Sequence, residues 1–235
     1  LSRQVQEEKL ASLGKLTASI AHEIRNPLGA ISHAGQLLAE SPELADEDKR
    51  LTEIIHDHSE RLNTIIKSIL HLSRKRDAAK ATVELDEWLD RFAYDFSIEK
   101  YIDVKQVQIL MQDSCICVET ELSAFEQVMW NLCSNALNYS LVEEGQPKVA
   151  IKVYDKDGLV NIDVINVGKK IEEKHLDRIF EPFFTTSASG TGLGLYLCKE
   201  LCNNNKIELS YQKDFEGGTC FRLVFPKKEL IQEME

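Results

Sequence analysis

Apolar or small residues recur three or four positions apart at Leu10, Leu13, Thr17, Ile20, Ile24, Leu28, Ile31, Gly35 and Leu38. That spacing predicts one long helix with a narrow apolar stripe, close to a heptad repeat. Ser41-Pro42 stops it, and the acidic stretch through Asp48 is expected to make a turn. A second stripe follows at Leu51, Ile54, Ile55, His58, Leu62, Ile65, Ile66, Ile69 and Leu72. Two helices with such narrow stripes bury little by themselves. An antiparallel hairpin that pairs with its own copy into a four-helix bundle is the economical solution, so a homodimer is predicted.

Residues 73–82, SRKRDAAKAT, are charged and small and read as a linker. Beyond them the period changes. Leu85, Trp88, Leu89, Phe92 and Phe96 mark a helix, VKQVQIL and CICVE look like strands, and a second helix runs from Glu121 to about Tyr139. KVAIKVY and LVNIDVIN alternate with period two around Asp155-Lys156-Asp157-Gly158, a hairpin signal. A last helix is expected from about Gly192 to Asn203, with strands IELSYQ and TCFRLVF flanking Gly217-Gly218. Helices mixed with mostly antiparallel strands indicate an α+β two-layer sandwich. The expected organisation is a hairpin at 1–76, a linker at 77–82 and a sandwich domain at 83–235.

Charge supports a division there. Residues 1–76 hold 11 basic and 11 acidic side chains, whereas 77–235 hold 17 and 28, which is the whole net charge of −11. An acidic balance disfavours bulk capture of nucleic acid, and no direct nucleic-acid binding is expected. The 235 residues contain no apolar run of the length that spans a bilayer. The opening LSRQVQEEKL reads as a chain entered in mid-helix, a fragment of something longer. Cysteines at 115, 117, 133, 198, 202 and 220 form no CxxC pair and read as reduced thiols.

Chemistry concentrates in three places. His22 lies two residues from Ile20 and Ile24, about 200° around the helix from each, so it points away from the stripe. Glu23 beside it can take the Nδ1 proton and leave Nε2 as a nucleophile. Asn26 follows one turn on, and Pro27 removes the amide that would bond to the Glu23 carbonyl. An incidental surface histidine on a kinked helix is the plainer alternative. On the helix 125–140, Asn131, Asn135 and Tyr139 share a face with Asn138 beside them. Asparagine is a poor helix former. A row of amide oxygens can hold Mg²⁺ together with phosphate oxygens, the alternative being a solvated polar face. Third, Ser189-Gly-Thr-Gly-Leu-Gly-Leu195 is a glycine-rich turn feeding a helix, suited to phosphates. The aromatic stretch Ile179-Phe-Glu-Pro-Phe-Phe-Thr-Thr186 before it suits the hinge of a mobile lid.

In this order the motifs resemble the sensor histidine kinases of two-component systems, over about residues 8–228. SIAHEIRNPLGAI is similar to the family's phosphoacceptor box, NLCSNALNYS to its asparagine box, FEPFF to its phenylalanine box and GTGLGL to its second glycine box. The resemblance implies a dimeric four-helix bundle followed by an α/β two-layer sandwich of the histidine-kinase/GHKL ATPase type. It implies ATP and Mg²⁺, with the phosphoryl group passing to His22 and then to an aspartate of a response regulator. Glu23 and Asn26 would assist at the histidine. Asn131, Asn135, Asn138, Tyr139, Asn166, Gly168, Phe180, Gly190, Gly192, Leu193, Gly194 and Thr219 would hold the nucleotide, with Asn135 on the metal. It also implies the cytoplasmic portion of a membrane-anchored bacterial sensor.

The first glycine box departs from the family pattern Asp-x-Gly-x-Gly, reading Asn166-Val-Gly168-Lys-Lys170. The family's aspartate accepts a hydrogen bond from the adenine amino group. Asn166 retains an acceptor but loses the charge, a change of about 1–2 kcal/mol, or roughly 5- to 30-fold in affinity. Lys170 stands in place of the second glycine, and Asn138 where the family commonly has a basic residue. A competing expectation is therefore a pseudokinase acting through its bundle. A third, weaker one is an ATPase of the chaperone or topoisomerase type, which leaves the exposed His-Glu-x-x-Asn-Pro unexplained.

Overall fold

The computed structural model describes residues 24, 26–41, 45–73, 79–113, 116–141, 148–168, 170–187, 190–213, 215 and 218–226. By its contacts the chain divides into two units, Leu1–Asp77 with Thr185–Leu193, and Ala78–Phe184 with Gly194–Glu235. Among the described residues no helix is long and apolar enough to cross a membrane.

The described residues of the first unit include two helices, α1 over residues 26–39 and α2 over Asp46–Ser73. The turn between them is shorter than the sequence predicts. Asp46, Glu47 and Asp48 already belong to α2, with the Asp48 and Lys49 amides on the Ala45 carbonyl. Acidic side chains suit a first helical turn, where the peptide dipoles present their positive end. Leu28 and Gly35 on α1, and Thr52, Ser59 and Ile66 on α2, are buried and lie seven residues apart within each helix. Leu28 packs on Ile66, and a Cβ at Gly35 would lie 3.3 Å from Ile55 Cγ2, so the two helices run antiparallel in close contact. The buried hydroxyls are satisfied locally: Thr52 Oγ1 donates to the Lys49 carbonyl and Ser59 Oγ to that of Ile55, each at 2.7 Å. A second apolar line, also at heptad spacing, stays exposed: Ile24 just before α1, Ile31 and Leu38 on α1, Ile55 and Leu62 on α2.

The second unit is built on a five-stranded sheet of order β2-β4-β5-β7-β6. The strands are β2 (Val107–Met111), β4 (Val149–Lys156), β5 (Leu159–Asn166), β6 (Glu208–Tyr211) and β7 (Thr219–Val224). All pairs are antiparallel except β2–β4. Period-two burial sends Val149, Ile151, Val153, Ile162, Val164, Phe221 and Leu223 into one core. Over it lie α3 (Leu85–Glu99), α4 (Leu122–Tyr139) and α5 (Gly194–Asn204). Trp88 packs tilted against Phe125 at 4.4 Å between ring centres and Phe96 against Trp130 at 5.0 Å, which locks α3 to α4. The hairpin expected around Asp155-Lys156-Asp157-Gly158 forms, with only Asp157 and Gly158 between β4 and β5. Asp157 and Gly158 both have positive φ, 57° and 76°, and Asp155 Oδ1 accepts from the Gly158 amide at 2.9 Å.

Two features depart from the sequence expectation. Ala81 and Thr82, read as the end of the linker, begin β1 (Ala81–Glu84), which pairs antiparallel with β3 (Cys117–Thr120) in a separate ribbon. The first three residues of the VKQVQIL segment form a 3₁₀ turn, Val104–Gln106, with Asp103 accepting from the Lys105 amide.

Candidate functional site

α4 carries the asparagines, and its two ends are fixed by different devices. At its start the N-cap Glu121 makes no side-chain cap of its own. Its amide instead donates to Asn205 Oδ1 at 3.0 Å, and Asn205 Nδ2 donates to the Leu201 carbonyl at the end of α5. Asn205 is buried, so one amide side chain ties the start of α4 to the end of α5. At its other end Ser140 bridges to Gly168, and the Leu141 amide donates to the Val167 carbonyl at 2.8 Å. The asparagine face therefore ends directly against the segment that follows β5.

Asn131 and Asn135 are half-buried and Asn138 and Tyr139 exposed. Asn131 Oδ1 lies 3.6 Å from where a Cβ on Gly194 would stand, so the first residue of α5 meets the asparagine face. Asn166, the last residue of β5, is buried and opposite Thr219 of β7. Its carbonyl abuts Gly218, where φ is 147° and a side chain would collide with it. Its Nδ2 lies 2.9 Å from where a Cβ on Gly168 would stand, and that Cβ would also strike the Tyr139 carbonyl. Glycine at 168 is thus demanded by close approach, not by backbone angle. Asn166 Nδ2 has no hydrogen-bond partner. Leaving a buried donor unpaired costs about 1–3 kcal/mol.

The second unit thus brings together Asn131, Asn135, Asn138, Tyr139, Asn166, Gly168, Gly194 and Thr219 along α4, its C-terminal junction and the ends of β5 and β7. Phe180 lies 6.3 Å edge-on from Phe221 of β7, and Lys199 Nζ stands 5.5 Å over its ring while donating to the Leu209 carbonyl. The phenylalanine stretch is anchored at both ends, since Phe184 packs on His175 and Arg178. Phe183 between them is exposed with φ of 66°, an uncommon angle for a residue of its bulk. Gly190, Gly192 and Leu193 belong to Thr185–Leu193, which is described by itself. Within it the Gly190 amide donates to the Ser187 carbonyl at 3.3 Å and the Leu193 amide to Thr191 Oγ1 at 3.4 Å. Lys170 is exposed.

Of the expected phosphoacceptor group, Asn26 is exposed on α1, and Pro27 sits inside helical backbone. His22 and Glu23 lie outside the described residues. Cys133, Cys198, Cys202 and Cys220 are buried thiols outside any disulfide, and burial pushes Cys133 and Cys198 upward in pKa, away from nucleophilic use. Sequence reasoning missed Asn205, whose partners lie 84 and 85 residues away. It also missed the buried Asp163 on the opposite face of the sheet. There Arg222 Nε and Nη2 donate to its carboxylate at 2.7 and 2.8 Å, and Tyr154 Oη adds a contact at 3.3 Å.

Comparison with known proteins bears on both units. Residues 12–78 match the family model described as "His Kinase A (phospho-acceptor) domain", and residues 120–229 that of "Histidine kinase-, DNA gyrase B-, and HSP90-like ATPase". The chain is 44% identical over 232 residues to sensor protein kinase PilS of Pseudomonas aeruginosa, covering 97% of this chain and 44% of that protein. It is 30% identical over 225 residues to sporulation kinase A of Bacillus subtilis, covering 95% and 36%. The chain spans less than half the length of these relatives. Among solved structures, histidine kinase ThkA in complex with response regulator protein TrrA matches at TM-score 0.62 and 30% identity, over 94% of this chain and 63% of that one. Full-length ShkA in complex with AMPPNP matches at TM-score 0.65 and 21% identity, over 90% and 45%, a likeness of fold.

Proposed function

Because the chain belongs to the histidine kinases of two-component systems, we propose that it moves the γ-phosphoryl group of ATP onto His22 and then onto a response-regulator aspartate. The observation that carries this reading is the junction at the end of α4, where the asparagine face meets Asn166 and Gly168 with a buried, unpaired amide.

In this account His22 Nε2 attacks the γ-phosphorus, a nitrogen–phosphorus bond forms, the bond to the β-phosphate oxygen breaks and ADP leaves. Glu23 accepts the Nδ1 proton and holds the imidazole in the tautomer whose Nε2 lone pair is free. Asn26 positions water when the bundle dephosphorylates its regulator, and the exposed Asn26, Gly29 and His33 offer a docking face. Asn166 and Thr219 take the purine, with the backbone at Gly168 lining it. Gly190, Gly192, Leu193 and Gly194 supply the phosphate end, and Phe180 anchors the segment before it. A single neutral amide fits Mg²⁺, which keeps several waters and takes one or two protein ligands beside phosphate oxygens. Asn135 would hold the ion, which supplies neutralisation of the phosphate charge. The exposed heptad line Ile24, Ile31, Leu38, Ile55 and Leu62 favours a homodimer.

Incubation with γ-labelled ATP and Mg²⁺ tests the reading. The chain is expected to take up label that is acid-labile and alkali-stable, as a phosphoramidate is, and to take none from α-labelled ATP. Asn135→Ala should lower the rate by about 10- to 100-fold. Acid-stable label, or none, would refute it.

A further inference from the structure

Lys199, half-buried on α5, draws three elements together. Its Nζ donates to the Leu209 carbonyl at 2.7 Å and stands 5.5 Å over the Phe180 ring. β6 is an edge strand, and just beyond it the Gln212 amide donates across to the Cys220 carbonyl at 2.9 Å. By the alternation of an antiparallel ladder, Leu209 then turns its carbonyl away from β7, toward the free edge. A lysine at such an edge is explained by guarding it against strand addition. That duty requires no aromatic ring beneath the ammonium.

Phe180 and Lys199 stand on the two stems of the glycine segment. The chain leaves the second unit after Phe184 and re-enters it at Gly194, and Lys199 follows in the second turn of α5. On the entry stem Ile179 is buried in the core, and Phe184 is held by His175 and Arg178 of the same stretch. Phe180, by contrast, is held from the exit stem, with Phe221 of β7 edge-on to it. We infer that Lys199 is a positioning residue for phosphoryl transfer, its ammonium clasping Phe180 to α5 and so fixing the two stems of the glycine segment against each other. The inference rests on the kinase reading above and concerns how the phosphate end of that site is held. A loop with tethered stems has less freedom to lose when it orders on a triphosphate. The clasp therefore acts on ATP affinity and leaves the chemistry at His22 alone.

The test follows autophosphorylation of the full chain against ATP concentration, in Mg²⁺, for a cycle of variants. Lys199→Met keeps the aliphatic stem and removes the charge, and Phe180→Leu keeps bulk and removes the ring face. A cation over an aromatic face corresponds to about 3- to 10-fold, so Lys199→Met should raise KM for ATP by that factor with kcat within about 2-fold of wild type. Lys199→Arg keeps a cation over the ring and should hold KM within about 2-fold. In the Phe180→Leu background, Lys199→Met should add less than about 2-fold. An unmoved KM in Lys199→Met with a lowered melting temperature would leave only an edge guard and overturn the inference, with the kinase reading standing. An equal rise in both backgrounds would overturn it too. A wild type that takes up no label removes the kinase reading and this inference with it. Should Lys199→Met not fold, Lys199→Gln, which keeps a donor for Leu209 and no charge, replaces it with the same expectations.

Discussion

Ile31 sits midway along the exposed heptad line of α1, and Ile31→Asp separates self-association from folding. In the single chain Ile31 is 51% exposed, as is Leu38, so a carboxylate there costs the hairpin itself little. In a four-helix bundle the same side chain enters a seam twice, once from each copy. Fully burying an isoleucine contributes about 1.5–3 kcal/mol, so its remaining half contributes about 1 kcal/mol per copy. Replacing both forfeits about 2 kcal/mol and leaves two carboxylates in an apolar seam, each costing at least the roughly 1–3 kcal/mol of an unpaired neutral polar group. The sum is at least about 4 kcal/mol, or roughly 1,000-fold in the dimer dissociation constant. Light scattering on the full chain across micromolar concentrations should show a dimer for the wild type and a monomer for Ile31→Asp. Gln36→Asp, exposed and about 140° around the helix from Ile31, should stay dimeric. An Ile31→Asp chain with unchanged mass, or a monomeric wild type, would refute the assignment of this line as the dimer seam.

Asn205→Ala removes the acceptor of the Glu121 amide, and thermal unfolding should report a loss of about 1–3 kcal/mol; ATP affinity should fall with it, because the cap fixes the start of the asparagine helix. Burial pushes the Cys202 thiol up to about 12, against a smaller downward pull from Lys199. A raised folded-state pKa contributes stability that is full below the thiol's unfolded value near 9 and is lost as pH climbs toward 12. Urea unfolding should therefore weaken between pH 9 and 12 by up to about 1.4 kcal/mol per unit from this thiol, and Cys202→Ala should flatten that slope; parallel curves for the two proteins would contradict it.

The parts of this molecule that sequence reasoning reached are those governed by local rules. Leu28, Gly35 and Ile66 lie on the stripes that helical spacing predicts, whereas Thr52 and Ser59 are buried on α2 where Leu51, Ile54 and Leu62 of the expected stripe are exposed, and Asp157-Gly158 specifies its turn through backbone angles alone. Asn131 and Asn135 share a face with Tyr139 because helical geometry puts them there, and Asn166 stood out because it replaces a carboxylate in an otherwise matching motif. What was missed depends on distant partners. β1 is four residues of mixed polarity that become a strand only by pairing with β3. Asn205 reads as one of three consecutive asparagines until Glu121 arrives from 84 residues away. Asp163 and Arg222 are 59 residues apart, and period two places each on the outer face without saying that they meet. The early start of α2 was hidden because Asp46, Glu47 and Asp48 serve a turn and a first helical turn equally well.

In the proposed function the nucleotide domain serves one acceptor, His22. Incubating the wild type and His22→Gln with γ-labelled ATP and Mg²⁺, then mapping the label to peptides at alkaline pH, tests it directly. Label is expected only in the peptide containing His22 in the wild type and nowhere in His22→Gln, with both proteins binding ATP equally. Label that persists in His22→Gln, or that maps to another peptide in the wild type, would contradict it.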